Sequence, residues 1–151
     1  MKLYIAYGSN MDLVQMNYRC PESKFVDKVN IPGYRLMFKH SKSGSYATIE
    51  PEINYNVPAI LFEISENDEA RLDRYEGFPI FYHKETIEVE FKDGKSQEAM
   101  AYIMRKDADF GMPTAMYYDI LARAYVKFNF DFKILSDALK YSFEQSADWR
   151  F

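Results

Sequence analysis

His83-Lys84-Glu85-Thr86-Ile87-Glu88-Val89-Glu90-Phe91-Lys92-Asp93-Gly94 is the stretch that decides the fold class. Apolar Ile87, Val89 and Phe91 alternate with Glu88 and Glu90, so an extended chain here has one apolar face and one charged face. Lys92-Asp93-Gly94 supplies a turn, and the chain returns through a second strand-like run from Gln97 to Met104. This is the clearest hairpin in the sequence. Upstream, segments 34–40, 46–50 and 57–64 are rich in Tyr, Phe, Ile, Val and Leu. Lys42-Ser43-Gly44-Ser45 and Asn54 to Asn56 separate them, and they read as antiparallel neighbours. Residues 2–6 form a short buried strand that enters a turn at Gly8, and Asp12 is the expected N-cap of a helix from Leu13 to Arg19 that Pro21 closes. Downstream, Met116, Ile120, Leu121, Ala124 and Phe128 fall at helical spacing, as do Ile134, Leu135, Ala138, Leu139 and Phe143, with Asn129 to Asp131 between the two helices. With no internal repeat or linker composition, the expectation is one α+β domain over residues 1–151 on a mostly antiparallel sheet. Periodicity does not say whether that sheet closes.

Composition narrows the function classes. The 151 residues are 48% hydrophobic and 17% aromatic, enough for one real core, and the 28% of charged residues mix both signs, unlike a disordered chain. A net charge of -4, with no run of Lys and Arg, argues against nucleic acid or an anionic membrane as a partner. After Met1-Lys2 the apolar stretch Leu3 to Ala6 is too short for a signal-peptide core, and nowhere do about 18 apolar residues run together, so a cytoplasmic location is expected. Cys20 is the single cysteine, at a helix end. His40 and His83 lie far apart in strand-like segments without metal-ligand spacing, so neither a metal nor another cofactor is expected. Trp149 and Phe151 read as interface or docked tail, in a monomer or homodimer.

Two segments have the residue types for chemistry. Ser65, with Asp68 three residues on, opens a short helix in capping-box fashion, and Gly77 and Pro79 mark its stop. Glu76 therefore falls in the last turn, where the macrodipole disfavours an anion, and burial there would raise its pKa toward the range of a general acid/base. The residues alone leave two readings open: a proton shuttle, or a solvated acid paired with Arg71 or Arg74. The second segment is Tyr7-Gly8-Ser9-Asn10-Met11, between a strand and a helix. Gly8 permits close backbone approach, successive N–H groups converge on an anion, and Ser9 and Asn10 add side-chain donors. An ordinary turn with an N-cap has the same composition.

Tyr-Gly-Ser-Asn at the end of the first strand, with Leu72-Asp73-x-Tyr75-Glu76-Gly77-x-Pro79-x-x-Tyr82 in the middle of the chain, resembles the γ-glutamylcyclotransferase-like, or AIG2-like, family. Arg19-Cys20-Pro21, Gly33-Tyr34-Arg35-Leu36-x-Phe38, Ala47-Thr48-Ile49-x-Pro51 and Pro113-Thr114-x-x-Tyr117 also match its pattern, so the resemblance spans roughly Tyr7 to Tyr125. It implies a small, mixed, mostly antiparallel β-barrel with flanking helices and a cavity at one mouth. It places Glu76 as the catalytic carboxylate, Tyr7, Gly8, Ser9, Asn10 and Met11 as the cavity loop, and Tyr82, Tyr102 and Tyr117 as tyrosines facing the ligand. Lys84, where many relatives have Arg, and Ala124-Tyr125, in place of a frequent Gly-Tyr, depart from the pattern and leave the substrate subgroup open. The implied reaction is the cyclisation of a γ-glutamyl amide, a small-molecule substrate, releasing 5-oxoproline with an amine or amino acid and needing no cofactor. The alternative class is a non-catalytic protein that binds a small ligand in the same cavity.

Overall fold

Five strands close into a barrel in the order β1-β3-β2-β4-β5, with β5 returning to β1, in a computed structural model that describes residues 1–41 and 43–146. Trp149 and Phe151 lie outside the described residues. The strands are β1 (Lys2–Ala6), β2 (Lys24–His40), β3 (Ser45–Ile64), β4 (Tyr82–Glu90) and β5 (Ser96–Met104). Every pairing is antiparallel except β1 with β5, where Tyr4 stands opposite Met100 in a parallel match. Closure pairs β1 with β5, so neither is an edge strand of the barrel. The expected hairpin is β4–β5, with Lys84 opposite Tyr102.

The three upstream segments are parts of two long strands, and this corrects the expected boundaries. Asn54 adopts a left-handed φ of 71° and Gly33 one of 74°, beside a bulge between Pro32 and Tyr34, so the ladder bends without ending. Residues 24–28, at the start of β2, and 51–56, in the middle of β3, are exposed, Phe25, Val26, Ile53 and Tyr55 included, so no buried apolar face marks these stretches as strand.

Helix α1 (Leu13–Arg19) begins at Asp12, whose carboxylate accepts from the amides of Val14 and Gln15, and a 3₁₀ turn over Ser9–Met11 separates it from β1. Helix α2 (Glu66–Glu76) carries the full capping box: Ser65 Oγ accepts from the Asp68 amide and Asp68 accepts from the Ser65 amide. Leu72, fully buried, ties α2 to the core. Gly77 ends α2 in the left-handed conformation, φ 68°, with its amide bonded to carbonyls of the last turn. Helices α3 (Ala115–Lys127) and α4 (Phe132–Gln145) join through Asn129, also left-handed. Ser142 Oγ of α4 accepts from the buried Phe38 amide at 2.8 Å, which docks the helix on β2. The core fills the barrel with Ile5, Ile31, Ile49, Leu61 and their neighbours, and Ala99 to Met104 of β5 are buried on both faces. Cys20 caps α1 inside this packing, where burial pushes its thiol up to about 12 and keeps it neutral. No described helix is long and apolar enough to cross a membrane.

Candidate active site

A cavity of about 260 Å³ opens at one end of the barrel, between the end of β1, the last turn of α2 and the start of α3. That is room for a small molecule and not for a polypeptide chain. The fold brings the two expected segments together here: Tyr7, Gly8, Ser9 and Asn10 form one wall, and Glu76 stands on another.

The loop is held rigidly. Met11 and Asp12 donate their amides to the carbonyls of Gly8 and Ser9, closing the 3₁₀ turn and leaving the amides of Gly8, Ser9 and Asn10 at its open end. Asn10 Nδ2 donates to the Tyr4 hydroxyl at 3.0 Å, and Arg19 donates to Asn10 Oδ1 and Ser9 Oγ. Met11 departs from the expectation. Its side chain is fully buried in the core and does not line the cavity, because the apolar residue of the turn serves as its anchor. Gly8 has an ordinary negative φ, so the close approach that favours glycine is spatial: a Cβ there would lie 3.2 Å from the Tyr117 hydroxyl.

Glu76 is the last residue of α2, as expected, but the surface pairing is not found. Arg71 pairs with Asp68 at 3.4 Å, while Arg74 lines the rim of the same cavity and makes no ion pair with Glu76. Glu76 is partly buried where it lines the cavity. Burial therefore pushes its carboxyl up to about 7, and the Arg19 guanidinium opposes that rise.

Four tyrosines surround the carboxyl. Tyr82 Oη donates to the Ala47 carbonyl at 3.2 Å, and Tyr117 Oη accepts from the Ala47 amide, also at 3.2 Å. Tyr7 Oη donates to the Tyr102 carbonyl. Tyr4, Tyr7, Tyr82 and Tyr117 are all raised above their ordinary pKa by burial and then by the Glu76 charge, so they stay neutral donors. Tyr102 lines the cavity with its ring, but its hydroxyl is engaged outward, donating to Asp73 Oδ1 at 2.6 Å beside Lys84. Lys84, the departure noted in the sequence, is joined to the cavity lining through Asp73 and Tyr102.

Sequence reasoning missed Tyr4, Tyr46, Tyr75 and Arg74 as lining residues. Tyr75 and Arg74 precede Glu76 directly, so their neighbourhood was a usable signal. Tyr4 and Tyr46 have none beyond their strands.

Residues 4–120 match the family described as gamma-glutamyl cyclotransferase, AIG2-like. Among curated proteins none matches the sequence significantly. A solved structure of a gamma-glutamyl cyclotransferase superposes with a TM-score of 0.82 at 21% identity, covering 91% of this chain and 85% of that one. YkqA from Bacillus subtilis superposes with a TM-score of 0.76 at 17% identity over 96% of this chain and 55% of its own. An AIG2-like protein from Mus musculus gives 0.55 at 15% identity over 78% and 82%. The chain belongs to the gamma-glutamyl cyclotransferase, AIG2-like family.

Proposed function

We propose that this member of the family cyclises a γ-glutamyl amide to 5-oxoproline and releases an amine or amino acid, with Glu76 as its proton shuttle. The observation that carries the reading is a carboxyl raised to about 7, inside a small cavity and across from a turn with open amides. The substrate's α-amine attacks its own γ-carbonyl and forms the lactam C–N bond. The bond from that carbonyl carbon to the departing nitrogen then breaks. Because the nucleophile belongs to the substrate, ring closure needs a folded conformer and proton transfer, not a Ser-His or Cys-His pair.

Glu76 as a carboxylate takes the proton of the α-ammonium, and as an acid returns it to the leaving nitrogen. A pKa near neutrality suits both directions. The amides of Gly8, Ser9 and Asn10 hold negative charge on the substrate, as α-carboxylate or as the developing oxyanion. Tyr117 donates to the same region, since its oxygen lies beside Gly8 and its proton is not used by the Ala47 amide. Tyr7 and Tyr82 shape the pocket, and Tyr102 braces it. Arg74 brings a cation to the rim, which favours substrates with a carboxylate.

The test is a panel of γ-glutamyl dipeptides and γ-glutamyl amines assayed for 5-oxoproline. Turnover of at least one class is expected. Binding without product across the panel would instead assign a ligand-binding role to the cavity.

A further inference from the structure

Arg19 lies outside the cavity wall, yet it touches both halves of the site. Its guanidinium donates to Asn10 Oδ1 and, at 3.3 Å, to Ser9 Oγ, and its planar face stacks 3.6 Å from the centroid of the Tyr75 ring, next to Glu76. Gln15, with its amide turned to satisfy both neighbours, donates to the Ser9 carbonyl at 2.9 Å and accepts from Arg19 at 2.9 Å. Ser9 Oγ and Tyr75 Oη also approach to 3.5 Å. The guanidinium is thus fixed by hydrogen bonds in its plane and by an aromatic ring against its face, an arrangement that a flexible ammonium does not reproduce.

We propose that Arg19 is a positioning residue that couples the loop to Glu76, fixing the loop's shape through Ser9 and Asn10 and holding a cation against the Tyr75 ring beside the carboxyl. The groups that face Glu76 make this assignment specific. Tyr4 comes from β1, Tyr7 from the loop that follows it, Tyr82 from the start of β4 and Tyr117 from α3, and burial keeps all four neutral, while the Tyr102 hydroxyl of β5 is turned to Asp73. On its own helix stand Tyr75 and Arg74, and Arg74 is exposed, where water screens its charge. Arg19 is the charged group whose field opposes the burial of Glu76. Without it the carboxyl would bind its proton too tightly to act as a base at neutral pH.

The inference rests on Glu76 being the proton-handling group, but its test does not need turnover. Glutamate ¹³C-carboxyl resonances are titrated by NMR, with Glu76 assigned by its loss in Glu76→Gln. The wild-type midpoint is expected near 7. Arg19→Gln is expected to tighten proton binding roughly threefold to thirtyfold, and Arg19→Lys, which keeps the charge, to return within about threefold of wild type. Should Arg19→Gln not fold, Tyr75→Leu removes the stacking shelf, together with the distant approach of its hydroxyl to Ser9, at a half-exposed position, and is expected to move the midpoint upward by a smaller factor. A midpoint unmoved in Arg19→Gln and in Tyr75→Leu, or identical midpoints for Arg19→Gln and Arg19→Lys, overturns the proposal whether or not 5-oxoproline is formed.

Discussion

The Tyr117 hydroxyl accepts the amide proton of Ala47 at 3.2 Å, which leaves its own proton free to point into the cavity. Tyr82 makes the opposite bond to the same residue, donating its proton to the Ala47 carbonyl at 3.2 Å. Two neighbouring tyrosines thus differ in what they can offer a ligand. Tyr117→Phe is expected to lower kcat about tenfold to a hundredfold, as loss of a donor to a developing oxyanion does. Tyr82→Phe is expected to cost about 1 kcal/mol of stability with a smaller loss of rate. Steady-state kinetics and denaturation of the pair check this, and equal rate losses would count against the distinction.

The pH dependence follows from the state Glu76 must have. It begins as the base, so the free enzyme is competent when the carboxyl is ionised, and kcat/KM is expected to rise with pH through about 7. Below that point the rate should fall about tenfold per pH step. A profile flat between about pH 5 and 8 would contradict the assignment.

Stability should run the other way. Below the ordinary carboxylate value of 4.5 both folded and unfolded chains carry the Glu76 proton, and the group contributes nothing. Between 4.5 and about 7 the unfolded chain ionises first, so folding is increasingly disfavoured as pH rises, and above 7 the penalty is constant. Glu76→Gln removes the ionisation. It is expected to match wild type near about pH 4 and to be more stable by up to about 3 kcal/mol near about pH 8, as chemical denaturation at the two values would show.

Gly77 fixes where α2 ends and hence where Glu76 points. Its φ of 68° is strained for any side chain, and a Cβ there would lie 2.6 Å from the Phe81 ring. Gly77→Ala is expected to cost roughly 1–3 kcal/mol in denaturation experiments and to lower activity beyond that loss.

Much of this was legible in the chain. The β4–β5 hairpin showed itself through alternation, and α1 and α2 through Asp12, Ser65, Asp68 and Gly77, because caps and turns are local chemistry. The full lengths of β2 and β3 were not, since the start of β2 and the middle of β3 are exposed and bury no apolar face, and Gly33 and Asn54 bend a ladder that their residue types suggested would stop. Around the cavity, helix-end position and motif singled out Glu76 and the Tyr7–Asn10 loop, which the fold places in one lining. The inward anchoring of Met11, the outward bond of Tyr102 to Asp73 and the bonds of Arg19 to Ser9 and Asn10 depend on three-dimensional neighbours that no spacing encodes.

The central claim is that Glu76 carries the protons for lactam closure. The direct measurement is 5-oxoproline formation by wild type and Glu76→Gln, both shown to be folded, on the substrate that the γ-glutamyl panel selects. The account predicts that Glu76→Gln retains ligand binding and loses roughly a hundredfold to ten-thousandfold in rate. A folded Glu76→Gln that forms 5-oxoproline at nearly the wild-type rate would contradict it.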